Sequence, residues 1–147
     1  MEMIVCLIVG YFCGCISSGY FVGKFYKKDI RELGSGNAGT TNVLRNFGVI
    51  PAIITFVGDL AKAFIPILLI RFCFSTPQDW YLLCLYCGLG VVLGHNYPFY
   101  LGFKGGKGIA TTGGVIFAFH WQLGLVCAAV FLIITAISKY VSLGSIC

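Results

Sequence analysis

Val49-Ile50-Pro51-Ala52-Ile53-Ile54-Thr55-Phe56-Val57-Gly58-Asp59-Leu60-Ala61-Lys62-Ala63-Phe64-Ile65-Pro66-Ile67-Leu68-Leu69-Ile70-Arg71-Phe72 decides the fold class. The run is long and apolar enough for one helix to cross a bilayer, which takes about 20 residues. Its interior charges, Asp59 and Lys62, stand three apart, so they share a helix face and can pair. Charge inside a span is costly, so the pair reads as a support for the substrate loops, the plainer alternative being a neutralised ion pair that orients helices.

Working outward, the same character covers the chain. Of 147 residues, 59% are hydrophobic and 10% charged, against about 25% charged in a soluble domain. The mean hydropathy is +0.93. A first span is expected over residues 3–23, a second over 49–72 and a third over 80–101, with Ser75-Thr76-Pro77-Gln78-Asp79 as a turn. The apolar stretch from Ile109 to Ile137 is too long for one span and is interrupted by His120-Trp121-Gln122. It reads as a hairpin of two helices, the first unusually short. The expectation is therefore an all-α, polytopic transmembrane bundle of about five spans, a single domain over residues 1–147.

The net charge of +5 is concentrated in the loops. It suits anionic lipid headgroups or an anionic substrate, while nucleic-acid binding is excluded for a chain whose residues mostly cannot face water. Lys24, Lys27, Lys28, Arg31 and Arg45 lie in the first loop, Lys104 and Lys107 in the third, and Lys139 follows the hairpin. The positive-inside rule puts these on the cytoplasmic side and the N-terminus outside, with Trp80, Tyr81 and Trp121 in the outer aromatic belt. Met1–Ile16 lacks the cation of a signal peptide and reads as a retained span; Phe12-Cys13-Gly14-Cys15 fails as a lipoprotein site for the same reason. The eight cysteines fall mostly in apolar runs, where cysteine behaves as a small hydrophobe. Cys84 and Cys87 have no second pair or nearby histidine to make a metal site.

Two polar segments between the spans carry the chemistry. Gly34-Ser35-Gly36-Asn37-Ala38-Gly39-Thr40-Thr41-Asn42-Val43-Leu44-Arg45 offers backbone donors, hydroxyls, amides and one guanidinium. Gly94-His95-Asn96-Tyr97-Pro98 leads into Gly102-Phe103-Lys104-Gly105-Gly106-Lys107-Gly108. Both are equipped to hold phosphate. The first satisfies G-x-G-x-x-G, with Asp59 twenty residues past Gly39, but no strand precedes it and Asp59 lies in a span, so no dinucleotide fold is implied. The second fails as a Walker A loop, having Leu101 and Gly108 where glycine and a hydroxyl are needed. His95 ends the third span beside a Lys-Gly loop and is a candidate substrate contact; His120 sits at the outer turn.

At these motifs, together with Lys139-Tyr140-Val141-Ser142-Leu143-Gly144-Ser145-Ile146 and Gly58-Asp59-Leu60-Ala61-Lys62, the chain resembles the bacterial PlsY-type acyl-phosphate:glycerol-3-phosphate acyltransferases. Order and spacing agree over essentially the whole chain. The resemblance implies an integral enzyme of the bacterial inner membrane, active on its cytoplasmic face. It transfers a fatty acyl group from acyl phosphate to the 1-hydroxyl of sn-glycerol 3-phosphate, giving lysophosphatidate and phosphate, the first step of phospholipid synthesis. It needs no cofactor and no metal, and an upstream enzyme supplies the acyl phosphate. The family has seven spans and draws some site residues from its last two. This sequence stops after what would be the fifth, so it is expected to be C-terminally incomplete relative to the family.

Acyl phosphate is already activated, so alignment and charge neutralisation matter more than a strong base. The sequence agrees: no histidine has an acid five positions on, and no Ser-His-Asp set is evident. The expected catalytic residues are Ser35, Arg45, His95 and Lys104. Gly34, Gly36, Asn37, Thr41, Asn42, Asn96, Gly105, Gly106, Lys107, Ser142 and Gly144 are expected to bind substrate, with Asp59 and Lys62 in support. Basic loops between spans also suit a transporter or channel for a phosphorylated solute, although no internal repeat is visible. A CDP-alcohol phosphotransferase would need more aspartates, and an inactive fragment is the third alternative.

Overall fold

Residue 16 interrupts the first span. The computed structural model describes residues 1–73 and 77–144, the side chains of 77–79, 142 and 143 excepted. Within it the expected span over 3–23 is two helices, α1 (Glu2–Cys15) and α2 (Ser18–Phe25), joined through extended backbone at Ile16 and Ser17. A break at this depth leaves carbonyls without helical partners, which is tolerable only where protein supplies donors. It does: the Tyr100 hydroxyl donates to the Cys15 carbonyl at 2.8 Å and Lys62 Nζ to the Ile16 carbonyl at 2.8 Å. Hydropathy averages over such a break, so the sequence does not announce it.

A 3-10 turn at Ile30–Glu32 follows, then α3 (Thr40–Phe47). The sequence suggests a loop throughout Gly34–Arg45, yet its second half is helical. Asn42 and Val43 are buried on one side of α3 and Arg45 is exposed. The long α4 (Val49–Cys73) carries Pro51 in its first turn, where no helical donor is lost, and Pro66 in its interior. The next helix, α5 (Pro77–Asn96), starts inside the expected turn, with Pro77 at its first position; residues 75 and 76 of that turn lie outside the described residues. A second 3-10 turn, Phe99–Leu101, precedes the second glycine segment. The expected hairpin is present as α6 (Ile109–Phe119) and α7 (Trp121–Ser138), with His120 at the bend. A short α8 (Val141–Gly144) closes the described chain.

Among the described residues, four helical stretches are long and apolar enough to cross a membrane: Glu2–Phe25, Val49–Cys73, Trp80–Leu101 and Trp121–Ser138. The 11 residues of α6 rise only about 16 Å, roughly half of the ~30 Å hydrocarbon. Apolar side chains such as Ile53, Ile54, Val57 and Leu69 point outward, as they must in lipid.

Between apolar helices in lipid, association rests on close packing. The α1–α5 contact shows how it is achieved. Gly10 and Gly14 lie against the Cys87 and Val91 carbonyls, and Gly90 and Gly94 against those of Leu7 and Tyr11, with no room for a Cβ at any of the four. Beside this seam Ala63, Ile67, Cys84, Cys87, Val91 and Ala118 form the buried core. At the end of the bundle opposite the glycine segments, Arg71 donates to the Ala118 carbonyl at 2.6 Å and stacks on Trp80 at 4.7 Å. Tyr81 meets Phe119 edge-on there at 5.3 Å, so the expected aromatic cluster sits at one end.

Candidate active site

Asn42 organises the first glycine segment. It is buried, and its Nδ2 donates to the carbonyls of Ile30, Leu33 and Asn37 at 3.1, 2.9 and 2.9 Å. Its Oδ1 accepts from the Ser35 N–H and from Asn46 Nδ2, both at 3.1 Å. An amide has few further sites to offer. Asn42, expected to bind substrate, is therefore spent on holding the segment that would do so. Asn37 is engaged too: its Oδ1 accepts from the Gly39 N–H at 2.8 Å, just ahead of α3. Gly34 takes φ +54 against the Asn42 and Asn46 amides, and Gly36 takes φ +70.

This folding leaves Ser35 exposed and Thr41 half-buried, with Arg45 exposed one helical turn beyond Thr41 on the same face. At the start of α3 the Asn42 N–H already donates to the Gly39 carbonyl at 3.1 Å, which leaves the Thr40 and Thr41 N–H groups without a helical partner, an arrangement that favours anions.

The second segment turns back on the end of α5. The N–H groups of Gly105 and Gly106 donate to the carbonyls of Asn96 and His95, each at 3.0 Å. These two N–H groups close a helix end, whereas the sequence suggested donors for substrate. Gly106 lies directly on the His95 ring, where an added Cβ would fall 2.0 Å from Nε2. Gly108 takes φ +81 at the start of α6 with the buried Asn96 Oδ1 beside it. Lys104 and Lys107 are exposed. Among the described residues, Arg45, Lys104 and Lys107 make no ion pair or side-chain hydrogen bond, unlike Arg31 and Lys62.

Under this segment lies a buried polar centre. Lys62 Nζ stands 3.0 Å from Asp59 Oδ1, 2.7 Å from His95 Nδ1 and 2.8 Å from the Ile16 carbonyl. His95 and Asp59 approach to 3.7 Å. The spacing of Asp59 and Lys62 revealed their pairing; nothing in it revealed His95 or the broken helix as the other partners. As an ammonium, Lys62 has donors only and would donate to Nδ1, which assigns the His95 proton to Nε2, on the side of the Gly106 turn.

Arg31, absent from the sequence-derived candidates, joins the two segments. Asp29 grips its guanidinium at Nε (3.0 Å) and Nη2 (2.6 Å), and Nη1 donates to the Leu101 carbonyl at 3.2 Å. Both glycine segments consequently lie at the same end of the bundle. The Arg31 guanidinium holds the Asp29 carboxyl below its ordinary range, and Asp29 raises the Arg31 value in turn. Arg31 also stacks on Tyr20 at 5.2 Å. In the third polar cluster, Gly144 is buried against Phe131 and Thr135 of α7; the Ser142 side chain lies outside the described residues.

A family model described as glycerol-3-phosphate acyltransferase matches residues 4–147. A glycerol-3-phosphate acyltransferase from Clostridioides difficile is 45% identical over 99% of this chain and 72% of its own length. One from Trichodesmium erythraeum is 39% identical over 97% of this chain and 69% of its own. Among solved structures, PlsY (YgiH), an integral membrane glycerol 3-phosphate acyltransferase in its glycerol 3-phosphate form, superposes with a TM-score of 0.90 at 40% identity, over 99% of this chain and 72% of that one. Its lysophosphatidic acid form gives 0.87.

Proposed function

The chain belongs to the glycerol-3-phosphate acyltransferase family, and from that membership and the two loops we propose that it transfers an acyl group from acyl phosphate to the 1-hydroxyl of glycerol 3-phosphate at the inner face of a bacterial plasma membrane. The observation that carries this is where the exposed cations fall: Arg31 and Lys62 are consumed within the fold, and of the cations left exposed, which include Lys24, Lys27, Lys28 and Lys139, it is Arg45, Lys104 and Lys107 that lie in the two glycine segments at one end of the bundle. Two substrates that each bear a phosphate call for such unpaired charge.

In this reading Arg45 and Lys104 neutralise the phosphates, with Ser35, Thr41 and Lys107 assisting. The glycerol oxygen attacks the acyl carbonyl carbon. A C–O bond forms to glycerol, the C–O bond to phosphate breaks, and inorganic phosphate leaves with the electron pair. His95, with its proton on Nε2, donates to an oxygen and orients it; the hydroxyl proton passes to a phosphate oxygen. Asn37, Asn42, Gly34 and Gly36 shape the first segment, and Gly105, Gly106, Asn96 and Gly108 the second. The acyl chain lies among the apolar helices, reached from the lipid, and another enzyme makes the acyl phosphate.

The test replaces Arg45 or Lys104 by alanine in the purified protein and measures lysophosphatidate formed from acyl phosphate. Loss of a charge-assisted phosphate contact, worth about 1.5–3 kcal/mol, predicts a fall of roughly 10- to 100-fold in kcat/KM. Wild-type turnover in both variants would refute the assignment. Solute flux into liposomes without acyl transfer would favour a transporter.

A further inference from the structure

Arg31 and Tyr100 stand at the two ends of one continuous set of contacts. The Asp29 carboxylate fixes the guanidinium fork, leaving Nη1 to reach the Leu101 carbonyl. The face of that guanidinium covers Tyr20 at 5.2 Å, and Tyr20 meets Tyr100 edge-on at 6.2 Å. The Tyr100 hydroxyl then spans the break in the first helix: it donates to the Cys15 carbonyl at 2.8 Å and accepts from the Ser17 N–H at 3.4 Å. One end of this set belongs to the segment leading into Gly34–Arg45. The other adjoins Gly102–Gly108. Between them stands Tyr20 of α2, and the Tyr100 end also closes the break whose next carbonyl binds Lys62.

We propose that Arg31 and Tyr100 are positioning residues for acyl transfer: together they form a clasp that fixes the separation of the two cationic segments. The inference rests on the function proposed above, since a fixed separation matters most where two phosphate-bearing substrates must meet. Neither side chain touches the reacting atoms in this account. Arg31 is used up by Asp29, Leu101 and Tyr20, which distinguishes it from Arg45. A lysine at 31 carries the charge but lacks the planar fork, and cannot reproduce the Asp29 and Leu101 bonds together.

Two measurements test it on purified full-length protein in lipid nanodiscs. The first is steady-state kinetics of Arg31→Met, Arg31→Lys, Tyr100→Phe and the Arg31→Met/Tyr100→Phe double variant, with thermal midpoints recorded alongside. Misalignment predicts kcat per folded molecule down by about tenfold or more in Arg31→Met, with KM for glycerol 3-phosphate moving less than about threefold. Arg31→Lys should recover only part of it, and the double variant should lose little more than Arg31→Met alone, because both act on one clasp. A raised KM at unchanged kcat, rescued by lysine, would make Arg31 a substrate ligand and overturn the proposal. So would unchanged kcat per folded molecule, or additive losses. The second measurement is independent of turnover: spin labels carried on unnatural amino acids at Glu32 and Phe103, both exposed, report the distance between segments. The distribution should be narrow in the parent and broadened by Arg31→Met and Tyr100→Phe; an unaltered distribution sinks the clasp. Absence of acyl transfer in the parent would defeat the functional reading alone, and the distance measurement would still decide the clasp.

Discussion

Gly113 and Gly114 are neighbours in α6, and alanine should have opposite consequences at the two. A Cβ added at Gly113 meets nothing within 4 Å, whereas one at Gly114 would sit 2.4 Å from the Leu60 carbonyl oxygen and 3.2 Å from the Ala63 Cβ. A carbon rests no closer than about 3.3 Å to a carbonyl oxygen, so α6 and α4 would have to part by about 0.9 Å. Overpacking of this kind costs about 1–3 kcal/mol. Replacing glycine by alanine inside a helix returns up to about 1 kcal/mol at either site, so that gain cancels between the two variants. Gly114→Ala should therefore be less stable than Gly113→Ala by about 1–3 kcal/mol, with Gly113→Ala at or slightly above the parent. Unfolding in SDS–detergent mixed micelles, followed by fluorescence of Trp80 and Trp121, measures the gap. Activity gives a second readout, because the displaced part of α4 carries Asp59 and Lys62 beside Leu60. Equal midpoints for the two variants would refute the tight α4–α6 contact and the reasoning built on it.

Other substitutions probe the polar interior. Lys62→Met removes the donor to the Ile16 carbonyl and His95 and strands Asp59; breaking a buried pair this way costs about 3–5 kcal/mol, and adding Asp59→Asn should restore part of the SDS midpoint. Asn42→Leu, close in size, orphans the carbonyls of Ile30, Leu33 and Asn37. It should lower stability by about 2 kcal/mol or more and raise KM for glycerol 3-phosphate, read by the same unfolding assay and steady-state kinetics. Asp29 is held below its ordinary pKa chiefly by its hydrogen bonds from Arg31, with Lys24 adding a smaller pull. Its folded value is depressed, so its contribution is complete above the ordinary value of about 3.9 and is lost as pH falls through the lowered one. The Glu32–Phe103 label distance should accordingly hold from pH 8 to about 4 and broaden only in stronger acid, while Asp29→Asn should be broad throughout.

The spans were legible because hydropathy is additive along a chain and lipid demands it of every outward residue; even the short first arm of the hairpin showed itself through the interruption at His120. The break at Ile16–Ser17 was not, because what makes it tolerable is supplied by Lys62 and Tyr100, 46 and 85 residues from the carbonyls they bind. The glycine segments show the limit most sharply. Glycine, asparagine and hydroxyl residues suit a phosphate, but the same composition suits a backbone that folds onto itself. Gly105 and Gly106 donate to the end of α5, and Asn42 gives its amide to three carbonyls of its own loop. Composition cannot separate these uses, since both need small residues and dense donors. Cations can be separated, because a structural cation shows its partner. Arg31 finds Asp29 and Lys62 finds Asp59, both within three residues, yet Lys27 and Lys28 lie as near Asp29 and stay exposed, so spacing offered these pairings without choosing among them. Arg45, Lys104 and Lys107 have no acid so near in sequence and stay exposed in the fold. On the function proposed above, the exposed cations beside the glycine segments, more than the glycines themselves, would meet the phosphates, while Arg31 and Lys62 hold the frame beneath them.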